Sequence, residues 1–508
     1  MIEFLNINYI LSNWKLFLIP TVLTALYYYF TSTFDHFKKK GVKYIKPVIF
    51  VGNLAPRILR TKSFIEVQWD IYKKFKGCRY AGVFEGSRPV LHILDPDLIK
   101  AVTIRDFDYF ADRAVMTSND HKYITRSLLW LEGPIWKEIR SKLTPTFSSA
   151  RLRNMLPLIE LCSKQLTDFM YQFDGKEVEM KDTMGHFTLE VIGLVAFGMK
   201  SDALTDENSN FVMLVEKLFV MSTANRYLLF FALMFFPRAI KFFNIAFFDK
   251  DAAVELMQML KKTKAQRRIG GEKKNDFLQL LIDAAEKEES EVKNGQKLHL
   301  DNETADAQSF LFLIAGYETS STLLSFAMHV LATNPEVQTK LRNHIVAKTE
   351  GKEINYELLS ELTYLDAVIQ ETLRMYPPAP RLERVCTKRY LVPNSDVVIE
   401  KGENIAIPLI GIHMDPDIYK DPYEFKPERF IGNAKREIPA HLFLSFGSGP
   451  RNCLGGRFAM YSAKMALVSL IKNFEFSPCS KTIDPIKFDK VSILLKGESG
   501  IWVKVKKL

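Results

Sequence analysis

Apolar residues recur every three or four positions through most of the stretch between Pro134 and Tyr376, a period that predicts a body built from helices. The clearest runs cover Phe277–Lys287, Glu303–Thr333, Pro335–Glu350 and Leu358–Tyr376, the third opening with Asn334 as cap and Pro335 in its first turn. A further helix is predicted from Arg457 to Ile471. Short apolar or alternating stretches near Ala81–Phe84, Val90–Ile93, Val397–Ile399, Asn404–Pro408 and Gly500–Val505 predict a few strands, and Asp95-Pro96 reads as a helix start. The charged, Gly-containing stretch Gln266–Asn275 reads as a loose connection. The fold class expected is mainly α with a small β part (α+β), in one domain without internal repeats.

Two segments break the amphipathic pattern. From Leu16 to Phe34 there are 19 residues without a charge, about the length a membrane-crossing helix requires. Lys38, Lys39, Lys40, Lys43 and Lys46 follow it, so the rest of the chain is expected on the cytoplasmic side. A cleaved leader fits less well, because the charges come after the apolar stretch and no small-residue cleavage site is evident. The expected organisation is an anchor over 1–37, a basic, proline-containing linker over 38–56 and one folded domain over 57–508. The second segment, Arg226–Asp249, carries eight phenylalanines as adjacent pairs with Arg238 and Lys241 between them. Its uncharged core, Tyr227–Phe236, is too short to span a bilayer. It reads either as a surface that dips into lipid or roofs an apolar cavity, or as a buried helix pair.

Composition narrows the classes. With 47% apolar and 25% charged residues in 508, disordered, collagen-like and wholly transmembrane chains are excluded. A net charge of +10 would suit nucleic acid, an anionic membrane or an acidic protein partner, and does not choose among them. The five cysteines are too sparse and too widely spaced for a disulfide framework or a Cys-rich zinc site. Any cysteine that does chemistry here acts alone.

One cysteine has the surroundings for it. In Phe446-Gly-Ser-Gly-Pro-Arg-Asn-Cys453-Leu-Gly-Gly-Arg457, Gly447 and Gly449 let the backbone approach a bulky group, and Pro450 stiffens the turn. Cys453 stands at or just before a helix start, where the dipole and free N–H groups favour a thiolate. Such a thiolate can be the axial ligand of a planar iron cofactor. The other cysteines, Cys78, Cys162, Cys386 and Cys479, read as small core residues.

Phe446-x-x-Gly449-x-Arg451-x-Cys453-x-Gly455 resembles the haem-binding signature of the cytochrome P450 superfamily. Four further runs resemble that family's landmarks, in order: Trp136-x-x-x-Arg140, Ala315-Gly316-Tyr317-Glu318-Thr319-Ser320, Glu371-x-x-Arg374 and Pro427-Glu-Arg429-Phe430. The resemblance implies a cytochrome P450 fold, with 57–508 as the haem-thiolate catalytic domain. It implies haem b ligated by Cys453, with Phe446 and Gly455 shaping the loop. Trp136, Arg140, Arg384 and Arg451 would hold the propionates, with Arg113 as a fifth residue. Ala315 and Gly316 would form the oxygen-binding part of the central helix, where a glycine can open the hydrogen-bond ladder. Glu318 and Thr319 would supply an acid and an alcohol for moving protons. Glu371, Arg374 and Arg429 would form a structural ion network.

By the same resemblance the substrate pocket is walled by Phe107–Leu129, the Phe-rich segment, Phe310–Thr319, Ala379–Leu382 and Ser492–Leu494. Phe310, Phe312, Ile314, Ala379 and Leu494 make it apolar, which implies a lipophilic small-molecule substrate. The activity implied is insertion of one oxygen atom from O2, with electrons from an NADPH-dependent cytochrome P450 reductase and cytochrome b5 as a further candidate donor. A basic face at Lys137, Arg140, Arg451, Arg457 and Lys464 would meet that partner. The implied location is the endoplasmic reticulum membrane, in contact with lipid and not with nucleic acid. The lead-in Gly41–Pro47, the run Arg381–Cys386 and Phe425–Phe430 look like the microsomal clan of insect toxin-metabolising members, so xenobiotic oxidation is the expectation. Hormone or pheromone hydroxylation, peroxide-using isomerisation, and a non-catalytic haem or lipophile carrier remain alternatives.

Overall fold

A computed structural model describes residues 14–113, 122–206, 209–219, 248–270, 276–291 and 300–508. The elements that position the site are, along the chain, α1 (Trp14–Thr31), α2 (Phe64–Lys74), β1 (Tyr80–Glu85), β2 (Arg88–Ile93), α3 (Gly133–Leu143), α4 (Ser149–Tyr171), β3 (Glu177–Glu179) and α5 (Met180–Val191). They continue with α6 (Asn210–Phe219), α7 (Lys250–Gly270), α8 (Phe277–Glu291), α9 (Asn302–Thr333), α10 (Pro335–Thr349) and α11 (Thr363–Met375). The remainder are β4 (Leu382–Val385), β5 (Asn404–Ile407), α12 (Leu409–His413), α13 (Gly456–Asn473), β6 (Phe474–Ser477) and β7 (Trp502–Lys507).

Helix α9 is the axis of the fold. Asp301 caps it by accepting from Thr304 N at 2.7 Å, and its second half, mostly apolar, is buried on every side. Leu324, Phe326, Met328 and Leu331 pack there with Ile159 and Leu166 of α4, Val368 and Ile369 of α11, and Leu467 and Ile471 of α13. A second core lies between α2, β1, β2 and β5. The larger sheet runs β1-β2-β5-β4, with β2 and β5 parallel and the outer pairs antiparallel. Side chains alternate along β4, so Arg384 leaves the face opposite to Arg381 and Glu383. On that other face Arg381 forms a buried ion pair with Glu85 of β1.

Several expectations are corrected. The helix expected over Leu358–Tyr376 is broken at Leu362, whose ψ of 68° is not helical and whose side chain is fully buried. Tyr356–Glu361 and α11 therefore meet at an angle that the apolar period does not register. Strands β3, β4 and β6 were not expected. Helix α7 runs through Gln266 to Gly270, held by a bidentate Arg267–Asp276 pair, so only 271–275 of the expected loose stretch lies outside the described residues. Most of the Phe-rich segment Arg226–Asp249 also lies outside them, since 220–247 are not described.

The stretch expected as linker is part of the folded body. Val42 and Leu54 are buried beside β1, Tyr44 bridges Gly82, and Lys40 pairs with Glu403 at 2.5 Å. Gly82 is required there, because a Cβ would fall 2.3 Å from the ring of Phe37. Helix α1 joins this body through an edge-on contact of Phe30 with Phe50, rings 4.8 Å apart, while its Leu18, Ile19, Leu23 and Tyr28 are exposed.

Candidate active site

The loop before α13 is folded back on itself. Cys453 N donates to Phe446 O at 2.7 Å, and Gly447 and Gly449 take φ of +74° and +72°. At Gly449 no other residue fits, since a Cβ would lie 1.7 Å from the Thr103 carbonyl oxygen. Gly455 N–H is directed at the Cys453 sulfur, and Arg140 and Arg113 add positive field. In the protein without cofactor these do not win: burial pushes the thiol above its ordinary value, where the helix-start argument alone expects a thiolate. Cys453 is nevertheless exposed, as is Ala315, although the flanking turns of α9 are covered. Residues that are both desolvated and accessible line an internal space. The loop and α9 converge at Phe147, whose ring lies 5.5 Å from that of Phe312 and 3.9 Å from where a Gly455 Cβ would stand.

Four arginines crowd one side of this site; burial lowers the pKa of all four, and neighbouring guanidiniums lower it further for Arg113, Arg384 and Arg451. Their hydrogen bonds separate their roles. Arg451, expected on a propionate, is instead committed to the chain: Nε donates to Ala111 O at 2.7 Å, Nη2 to Leu131 O at 2.7 Å and Nη1 to Leu128 O at 3.3 Å. Its guanidinium also covers the Trp136 ring at 4.0 Å. Arg140 donates from both Nη atoms to Asn452, at 2.8 and 2.7 Å, and so clamps the cysteine loop. Arg113 reaches Arg451 O at 3.3 Å. Arg384 is different. It is 2% exposed and, among the described residues, only its Nη1 is bonded while Nε and Nη2 have no partner. Burial beside Arg113 and Arg451 lowers its pKa to about 9. A buried guanidinium with two free donors among other cations is a site built for an anionic oxygen.

On α9, Thr319 Oγ1 donates to Ala315 O at 2.6 Å. Glu318 faces away from Thr319, toward α5, where its carboxylate is 3.1 Å from Lys181 Nζ. Lys181 also donates to Ser321 Oγ at 2.7 Å and Thr322 Oγ1 at 3.0 Å, and burial lowers its pKa. Gly316 does not open the helix, which is continuous from Asn302 to Thr333. Its missing side chain is the gap that Ile192 fills, 2.8 Å from a would-be Cβ.

Glu371 and Arg374 are fully buried, and Arg429 joins them from a partly exposed position. Glu371 accepts from Arg374 Nε and Nη2 at 2.8 and 2.9 Å, from Arg429 Nε at 2.9 Å and from Lys426 N at 3.0 Å. Among the pocket residues, Phe312, Ile314, Ala379 and Leu494 are half-buried, and Leu495 N–H donates to Pro378 O, which brings their two loops together. Phe310 is in the core against Phe248, about 200° round the helix from Phe312, and does not line the space. The basic face also shrinks: Lys464 is buried on Leu359 O and Asp366, and Arg451 is buried as described, so Lys137, Arg457 and the half-exposed Arg140 remain. Lys181, His413, Asn452 and Phe147 are contributors that sequence reasoning missed, and no local signal in the sequence marks them.

A soft thiol donor on one element and an arginine short of an anion on another fit a cofactor that carries both a metal and carboxylates, which is haem. The residues therefore define a haem-thiolate protein. The family model for cytochrome P450 matches residues 43–505, and the chain belongs to that family of haem-thiolate monooxygenases. It is similar over nearly its whole length to insect members. Cytochrome P450 6k1 of Blattella germanica is 37% identical over 96% of this chain and 95% of the relative. Cytochrome P450 9e2 of the same insect is 36% identical over 96% of each, and cytochrome P450 6a8 of Drosophila melanogaster 34% identical over 95% and 97%.

Proposed function

We propose that this chain is a membrane-bound monooxygenase of lipophilic xenobiotics, such as plant toxins or insecticides, driven by an NADPH-dependent reductase at the cytoplasmic face of the endoplasmic reticulum. The observation that carries the substrate class is the apolar, half-covered set Phe312, Ile314, Ala379 and Leu494 around the exposed Ala315. Similarity to insect members supports the xenobiotic reading. Bound haem supplies the redox chemistry by which O2 is cleaved and one oxygen atom transferred.

The chain's own groups bind and steer. Cys453 Sγ ligates the metal, Arg384 with Arg113 neutralises propionate, and Arg451 and Arg140 hold the loop and the wall. Thr319 Oγ1 and the Glu318 carboxyl would hold and pass protons at the site, Glu318 on leaving Lys181. Residues 1–37 act as anchor: among the described residues nothing covers the outward apolar surface of α1, which lipid would cover. Lys137, Arg140 and Arg457 receive the acidic reductase.

A panel of plant toxins and insecticides added to reconstituted membranes tests this reading. Substrate-type shifts of the haem spectrum and NADPH-dependent oxidation are expected for many of them. Tight binding and turnover of one endogenous hormone alone would replace it with a biosynthetic role.

A further inference from the structure

We propose that His413 is a positioning residue that ties the Glu371–Arg374 network to the Cys453 loop; the proposal rests on Cys453 as the haem ligand. His413 ends α12 and is fully buried. Its Nδ1 lies 3.0 Å from Arg374 O, and Leu444 N lies 2.9 Å from its Nε2. A backbone amide only donates and a carbonyl only accepts, so the ring is neutral, with its proton on Nδ1. The contact is reciprocal, because Arg374 Nη1 donates to the His413 carbonyl at 2.8 Å. Arg374 is the residue that grips Glu371 with two nitrogens.

Leu444 is where the chain enters the ligand loop. From there Gly447 N donates to Leu444 O and Cys453 N to Phe446 O, both at 2.7 Å. The imidazole therefore sets the height of the entering chain against α11, and the two following backbone bonds pass that height to the sulfur. Ser445 adds a second tie, its Oγ donating to Leu373 O at 2.8 Å. The ring is held flat on Phe443, centroids 5.7 Å apart and planes 9° apart, so its two nitrogens cannot swing away. Burial next to Arg374 keeps the ring neutral, with a pKa near 3.

The test uses the haem-loaded full chain. His413→Phe keeps the stacking and removes both bonds; His413→Gln keeps an acceptor in reach of Leu444 N–H. After reduction under carbon monoxide, the red-shifted Soret band of thiolate ligation is followed as it converts to the unshifted band. His413→Phe is expected to convert about tenfold faster than the wild type, and His413→Gln to recover most of the difference. The far-UV unfolding midpoint is expected to stay close to that of Ser445→Ala, a loss of one tie. Cys453→Ser lacks the shifted band from the start, which separates failure of the ligand from failure of its positioning. Equal conversion in all three, or no recovery with Gln, overturns the proposal. If His413→Phe does not fold, hydrogen exchange of the wild type decides: the Leu444 amide is expected to exchange as slowly as those of α11, and exchange at the rate of exposed loop amides overturns it.

Discussion

Arg384→Leu is expected to act in opposite directions on the protein with and without haem. Without the cofactor, Arg384 is a buried cation whose Nε and Nη2 are unpaired, pressed by Arg113 and Arg451. Each unsatisfied buried donor costs about 1–3 kcal/mol, so replacing the side chain with an apolar one of similar reach removes a penalty of roughly 2–6 kcal/mol for the two. With the cofactor, the same nitrogens make charge-assisted bonds to carboxylate worth about 1.5–3 kcal/mol each, so the variant loses about ten- to a hundredfold in haem affinity even if one bond is regained by a neighbour. The assay has two arms. Urea unfolding of the haem-free chain is expected to show a higher midpoint for the variant, and haem transfer to an excess of an acceptor protein a faster loss. A variant that weakens both forms, or changes neither, would refute the reasoning that these two donors await an anion.

Thr319→Ala is expected to lower product formation about tenfold or more while NADPH consumption continues with release of hydrogen peroxide, and Thr319→Ser to restore coupling; peroxide assays beside product analysis read the ratio. Gly449→Ala, with a Cβ driven onto the Thr103 carbonyl and φ at +72°, is expected to yield no haem-loaded protein, judged by the absorbance ratio after purification. Burial, with Arg381 beside His92 and Arg374 beside His413, holds both pKa values near 3 in the fold, against about 6.5 in the unfolded chain. Below pH 6.5 the unfolded chain binds protons that the folded one refuses. Stability therefore falls as pH drops toward 4, by up to about 2.7 kcal/mol per pH unit from the pair, and His92→Phe removes about half of that slope in urea unfolding. Lys137→Glu with Arg457→Glu is expected to slow reductase-supported turnover, more at low salt; unchanged turnover would reject that docking face.

What the chain discloses by itself follows the range of each interaction. The bounds of α9 are legible to within one residue because its cap and apolar content are local. The fold of the Cys453 loop is legible as well, because the bond that closes it, Cys453 N with Phe446 O, spans seven residues, whereas the Thr103 carbonyl that makes Gly449 necessary arrives from far along the chain. Strand β4 is not, since Leu-Glu-Arg-Val sets two charged residues side by side at its centre, one of which, Arg384, is buried. The break at Leu362 is hidden because a buried leucine suits a helix as well as a turn. Residue type also says nothing about where a side chain's donors end: Arg451 sits two places from the ligand, yet its donors go to Ala111, Leu128 and Leu131. Glu318 finds Lys181 and Leu444 finds His413 only once helices have packed, so neither pairing is written in any local pattern.

The most direct test is one spectrum of the purified, haem-loaded chain, reduced under carbon monoxide. A Soret band displaced to the red is expected, as is its disappearance in Cys453→Ser. An unshifted band in the wild type, or a shifted band that survives that substitution, would contradict ligation by Cys453.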